Sequence, residues 1–141
     1  LGILAQVNHG KDATLTMQSY IKEASKEHGV DGIAATPATD SLFKIDEDCD
    51  RLGKSESEKF HRAVAQLLYL ATRVRPDILL PITFLCSRVA NPTIEDLDKL
   101  SRAMKRLNGA SELGLKLGEY GGKDLTGQSE TLMDGTFWQF D

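Results

Sequence analysis

The sequence predicts an α+β fold that is mainly α: an N-terminal β-hairpin and helix, then a three-helix bundle, then a short strand and an irregular C-terminal tail. Three observations predict it. Apolar residues recur at helical spacing through most of residues 58–109. Arg75-Pro76 and Asn91-Pro92-Thr93 divide that stretch into three, because the residue before proline avoids the α region. The first 17 residues instead read as two short runs flanking turn chemistry.

The hairpin opens on the apolar run Leu1-Gly2-Ile3-Leu4-Ala5-Gln6-Val7. Asn8-His9-Gly10-Lys11-Asp12 supplies residues that accept positive φ, and Ala13-Thr14-Leu15-Thr16-Met17 alternates with period two. Two strands alone are barely stable, so the hairpin needs a sheet or helix to lean on. Residues 18–28 read as a helix with Tyr20, Ile21 and Ala24 inward, Ser19 as a cap and Gly29 as the C-terminal stop. Residues 30–40, with Gly32 and Thr36-Pro37, read as an extended connector, with Leu42, Phe43 and Ile45 anchoring a short turn beyond it.

Ser55 and Glu58 have capping-box spacing, which predicts a helix starting near Glu56. Phe60, Val64, Leu67, Leu68 and Ala71 then fall on one face. Pro76 and Asp77 suit the first turn of the next helix, whose stripe is Ile78, Ile82, Leu85 and Val89, with a kink or later start at Pro81. Thr93 and Asp96 form a second capping-box pair ahead of Ile94, Leu97, Leu100, Met104 and Leu107, and Asn108-Gly109 ends that helix. Leu113-Gly114-Leu115-Lys116-Leu117 reads as a strand, and no period runs through the remainder, where Trp138 sits near Phe137 and Phe140. The organisation predicted is residues 1–54 as hairpin, helix and connector, 55–117 as helical bundle, and 118–141 as tail.

At 141 residues the chain is long enough for one domain with a modest core, and no run approaches a membrane span. Cys49 and Cys86 stand alone, so an intracellular setting, cytoplasmic or nuclear, is expected. The chain opens on Leu1 directly in strand-like sequence, which suggests a piece of a longer polypeptide. The net charge of −4 conceals a division: −5 over residues 1–58, +5 over 59–106 and −4 over 107–141. A basic centre is compatible with phosphate contact and equally with unequal surface decoration.

Several chemistries are disfavoured. His9, His28 and His61 are scattered and neither cysteine has a close partner, so no zinc spacing exists. His61 reads as a surface or capping residue. The acidic run Asp46-Glu47-Asp48-Cys49-Asp50 fails as a calcium loop, since Arg51 stands where the turn needs Gly and Ser57 where the bidentate Glu belongs. No nucleophile elbow is present, and neither the glycines from Gly109 to Gly118 nor Lys123 has a phosphate-loop spacing. What survives is the basic surface of the bundle. Lys59, Arg62, Arg73, Arg75, Arg88, Lys99, Arg102, Lys105 and Arg106 form the pool of backbone contacts, with Arg73 and Arg75 also readable as structural. Lys99, Arg102 and Arg106 share the face opposite the apolar stripe of the last helix. That pattern suits a phosphate grip; it also suits a solvated helix in which Arg102 and Arg106 pair with Glu95 and Asp98.

Phe60-His61-x-x-Val64-Ala65-x-Leu67-Leu68-Tyr69-Leu70-Ala71-x-Arg73-x-Arg75-Pro76-Asp77-Ile78, Phe84-Leu85-x-x-Arg88-Val89 and Pro92-Thr93-x-x-Asp96-x-x-Lys99-Leu100-x-Arg102 succeed one another in order. This series resembles the segment after the catalytic palm in reverse transcriptases of copia-type LTR retrotransposons. Leu1-Gly2, Gln18-x-Tyr20-Ile21 and Thr36-Pro37 are similar to the same family, and the likeness runs to about Leu117. It implies a hairpin closing the palm and a helical thumb or connection that holds an RNA–DNA or DNA duplex template–primer without reading its bases. Lys99, Arg102, Arg106, Lys59, Arg62 and Arg88 would then be the nucleic-acid-binding residues. It also implies that the catalytic Tyr-x-Asp-Asp turn, with the Mg2+ that the full polymerase needs, belongs to the missing palm and fingers. No catalytic residue and no cofactor is therefore expected in this chain. The tail does not match the first strand of the ribonuclease H segment that comes next in the family. The alternatives are a helix-turn-helix or other helical DNA-binding or protein-interaction module, and a non-functional transposon relic.

Overall fold

Alternation in the first residues places apolar and polar side chains on opposite faces of a sheet, and the pairing register fixes which residues share each face. The computed structural model describes residues 3–8 and 12–118. Leu1, Gly2, the His9-Gly10-Lys11 part of the predicted turn and the predicted tail from residue 119 onward, with Lys123 and Trp138, lie outside the described residues. Strand β1 (Leu4–Asn8) pairs antiparallel with β2 (Asp12–Thr16), Leu4 opposite Thr16 and Val7 opposite Ala13. The sheet the hairpin needs is completed from far along the chain. Strand β3 (Leu115–Gly118) pairs antiparallel with the other edge of β2, Leu15 opposite Leu115 and Ala13 opposite Leu117, giving the order β1-β2-β3. Gly114 makes this approach feasible, since a Cβ there would fall on the Leu15 carbonyl oxygen.

Helix α1 (Gln18–His28) comes almost directly after β2. Ser19 is not its cap: Met17 occupies that position, buried and without a capping side-chain hydrogen bond. Gly29 ends the helix at φ 64°, and the N–H groups of Gly29 and Val30 donate to the carbonyls of Lys26 and Ser25, which satisfies the last turn. Helix α2 (Lys54–Arg73) begins earlier than the predicted capping box, with extended Gly53 as N-cap and no side-chain cap. Its inward face is as predicted for Phe60, Val64, Leu67 and Ala71, while Leu68 is half-buried.

A single 3-10 turn over Pro76–Ile78 leads into α3 (Leu79–Cys86). Pro81 lies in the first turn of α3, where helix N–H groups have no intrahelical partner, so its missing donor costs little. Ile78, Ile82 and Leu85 are fully buried. Helix α4 (Ile94–Gly109) carries the predicted capping box, with Thr93 Oγ1 accepting from the Asp96 N–H and the Asp96 carboxylate accepting from the Thr93 N–H. Leu100, Met104 and Leu107 are buried; Ile94, predicted on the same face, is exposed.

The fold is thus α+β and mainly α. One core joins Met17 and Ile21 to the inward residues of α2, α3 and α4, and α1 packs on both α2 and α4. The connector is the least regular part and has a definite course. The side-chain amide of Asn108 donates to the Val30 and Gly32 carbonyls, and the Ala34 N–H donates to the Lys105 carbonyl. Further on, the Asp46 N–H donates to the Glu95 carboxylate, the Ile94 N–H to the Asp50 carbonyl and the Leu52 N–H to the Pro92 carbonyl. Residues 30–53 therefore form a strap along α4 from its C-terminal to its N-terminal end. Of the predicted anchors Leu42 is buried, whereas Phe43 and Ile45 are exposed, Phe43 meeting Phe84 edge-on.

Replacing Gly114 with Ala should lower stability by about 1–3 kcal/mol and speed amide exchange in β2 and β3 while helical circular dichroism persists. An unchanged urea midpoint with unchanged exchange would contradict the β2–β3 register.

Candidate nucleic-acid interface

A cation opposite an apolar stripe is free for an external anion only if no other segment covers that face. The strap covers it on α4. Lys99 Nζ donates to the Lys44 carbonyl at 2.6 Å, lies 3.5 Å from the Glu95 carboxylate and stands over the Phe84 ring, leaving its side chain 11% exposed. Arg102 Nη2 donates to Thr36 Oγ1 at 2.9 Å. Arg106 Nε approaches the Asp77 carboxylate at 3.6 Å, with its side chain 26% exposed. The expected open stripe is therefore corrected: Lys99 and Arg102 anchor the strap, and Arg106 reaches the turn before α3. Of the anticipated pairings, Glu95 takes Lys99 rather than an arginine.

Arg88 is also committed inside the molecule. Asp96 is buried because it closes the α4 capping box, and a buried carboxylate needs a cation or several donors. Arg88, just beyond α3, supplies one, its Nε 3.1 and 3.3 Å from the two Asp96 oxygens. Arg75 is as enclosed as Asp96, 1% exposed. Its Nε and Nη2 grip both Asp77 oxygens at 2.9 and 2.8 Å, and Nη1 donates to the Ala110 carbonyl at 2.6 Å, tying the end of α2 to the end of α4. Hydrogen bonding from Arg75, then the charges of Arg75 and Arg106, hold the Asp77 carboxyl below the usual range despite partial burial. Arg73 is exposed and lies over the Tyr69 ring.

The cations left available sit elsewhere. Lys59 and Arg62 on α2 and Lys105 on α4 line one groove of about 610 Å³, floored by Phe60, Leu100 and Met104. Among the described residues neither Lys59 nor Lys105 has an ion-pair partner, and Lys59 is exposed. Arg62 pairs with Glu27 at 2.9 Å, at 69% exposure. Glu27 also accepts from Gln66, whose amide oxygen lies 2.7 Å from His28 Nε2. That hydrogen bond from Gln66, with Arg62 nearby, draws the Glu27 carboxyl down. Glu27, Asp31 and Glu56 share the rim, so the groove is lined by both signs of charge. Lys105 belongs to the sequence's wider basic pool but not to its favoured stripe; it also lines a second groove together with Lys99 and Arg102.

Other chemistry finds little footing. Among the described residues no three His, Cys, Asp or Glu side chains converge. Within the acidic run, Asp46 Oδ1 accepts from the Asp48 N–H. His61 is exposed. Burial pushes the Cys86 thiol up, away from the thiolate a nucleophile needs. No described helix is long and apolar enough to cross a membrane. Set against known proteins, the chain matches no family model, no curated protein and no solved structure.

Because the folded Asp77 pKa is depressed, its stabilisation is present above the unfolded carboxylate value and disappears as pH falls through the lower folded value. The stability difference between the native chain and Asp77→Asn in urea should be full at neutral pH and shrink below about pH 4. A difference independent of pH would contradict the Arg75–Asp77 assignment.

Proposed function

We propose that this chain is a non-catalytic, duplex-holding piece of a copia-type RNA-directed DNA polymerase, touching template–primer through its sugar-phosphate backbone without reading sequence. The observation that carries the reading is the grouping of Lys59 and Lys105, both without ion-pair partners among the described residues, with Arg62 along one groove. The ordered likeness from Leu1 to about Leu117 supports the same class. So does the shared core, which holds hairpin and helices in fixed relation, as a body touching both a primer end and the duplex behind it requires. Backbone contact asks only for positioned cations. The Arg62–Glu27 pair is exposed, and such pairs are worth about 0–1 kcal/mol, so a phosphate can replace Glu27 at small cost. The reading assigns the chain no phosphoryl transfer, since the family's catalytic carboxylates lie outside it.

A second reading, a purely structural helical scaffold, is favoured by one observation: the α4 cations are engaged within the chain. One experiment separates the two. Fluorescence anisotropy with RNA–DNA hybrids of unrelated sequence should give similar affinities that fall with salt. Lys59→Gln, Arg62→Gln and Lys105→Gln together should flatten the log–log salt slope by about 1 for each phosphate no longer neutralised. Salt-insensitive or absent binding would leave the scaffold reading, and strong preference for one sequence would favour a helix-turn-helix reader.

A further inference from the structure

A guanidinium presents parallel Nε–H and Nη–H donors along one edge, a fork that matches two oxygens of a single anion. Arg75 fills that edge, its Nε and Nη2 donating to the two carboxylate oxygens of Asp77. Arg102 leaves it half filled. Its Nη2 donates to Thr36 Oγ1 at 2.9 Å, while its Nε is buried and has no hydrogen-bond partner. Lys99 and Arg106 each approach a carboxylate, but among the described residues Arg102 forms no ion pair. A buried donor left unpaired is costly, so an anion with a second oxygen beside Thr36 Oγ1 would stabilise this edge.

Thr36 is placed to become that anion. It is exposed and lies on irregular backbone, and among the described residues no backbone–backbone hydrogen bond ties residues 35–38. Its hydroxyl donates to the Ala38 carbonyl at 3.0 Å, an exposed contact whose net worth is small. Pro37 follows, and Thr36 is the only serine or threonine in the chain that precedes a proline. Arg102 also lines an open groove of about 520 Å³ with Lys99, Lys105, Ala38 and Thr39, so space adjoins the guanidinium; Glu95 and Asp98 share that lining. We propose that Thr36 is a phosphorylation site for a proline-directed protein kinase, and that its phosphate completes the Arg102 fork and clamps the strap onto α4. The terminal phosphoryl group of a nucleoside triphosphate moves to Oγ1. The Oγ1–P bond forms as the bond from that phosphorus to the bridging oxygen breaks, the nucleoside diphosphate leaves with the electron pair, and the hydroxyl proton passes to a carboxylate of the kinase. The phosphate brings a charge of about −1.5 to −2, and its oxygens accept charge-assisted hydrogen bonds from Arg102. This inference stands apart from the nucleic-acid reading and survives its failure.

The full chain, incubated with a proline-directed kinase, ATP and Mg2+, should take up phosphate at Thr36, located by mass spectrometry of its peptides. In the phosphorylated chain, amide exchange at Ala34 should slow by about tenfold, the gain from one charge-assisted hydrogen bond. The second ionisation of the phosphate, about pH 6 when exposed, should move lower in phosphorus NMR. Phosphorylated Arg102→Gln should lose both effects while its helical circular dichroism persists. Should that variant unfold, exchange and titration in the native chain before and after modification decide the matter. No uptake by the folded chain under conditions that modify a peptide of residues 31–41 overturns the proposal. So does phosphate at Thr36 that titrates as in that peptide and leaves Ala34 exchange unchanged. Equal slowing of Ala34 exchange in the unmodified chain by inorganic phosphate also overturns it, in favour of a free anion at the fork.

Discussion

The strap laid along α4 is the constraint on which the rest of the molecule depends. A segment of irregular backbone must satisfy its carbonyl and N–H groups without a ladder of its own. Residues 30–53 do so by borrowing from one helix: the Asn108 amide at the start, the Lys105 carbonyl next, then Arg102, Lys99 and the Glu95 carboxylate, and finally the residues ahead of α4. This course carries the chain from the end of α1 to the start of α2, across the outer side of α4. It covers the face that an isolated helical wheel leaves open.

Charge in the middle of the chain is accordingly divided by location. Arg75 and Arg88 are structural, each drawn inside to neutralise a carboxylate placed there for another reason: Asp77 opens the turn before α3, and Asp96 closes the cap of α4. Removing one partner of a buried pair costs about 3–5 kcal/mol, and the 33% exposure of Asp77 places its pair with Arg75 below that range. Exposed pairs contribute far less. A positive count over residues 59–106 therefore overstates the charge offered to an external polyanion, and the cations of the groove between α2 and α4, with exposed Arg73, carry what remains.

Elements whose signals are local are legible in the sequence. Helical periodicity places Phe60, Val64, Leu67, Leu100 and Met104 inward, the Thr93–Asp96 pair marks the cap of α4, and Gly29 marks the stop of α1, because each depends on residues within a few positions. The Ser55–Glu58 pair misleads, since Gly53 in an extended conformation opens α2 earlier. Pairing of β3 with β2 is not legible: strand character can be read at Leu113–Leu117, but not which distant edge it meets, and Gly114 is the sole hint of close approach. The α4 stripe is misread for the same reason. Lys99, Arg102 and Arg106 do share a side of α4, but Lys99 and Arg102 meet a segment some sixty residues earlier with no periodic signature, and Arg106 meets Asp77 in the turn before α3.

Amide hydrogen exchange along the strap measures most directly whether the α4 cations are its anchors. In a chain with Lys99→Met and Arg102→Met together, the expected result is faster exchange at Ala34, Asp46 and Leu52, with the amides of α2 unchanged. Equal protection of those strap amides in the native and doubly substituted chains would mean that the two cations do not hold it. Their role would then have to be sought outside the molecule.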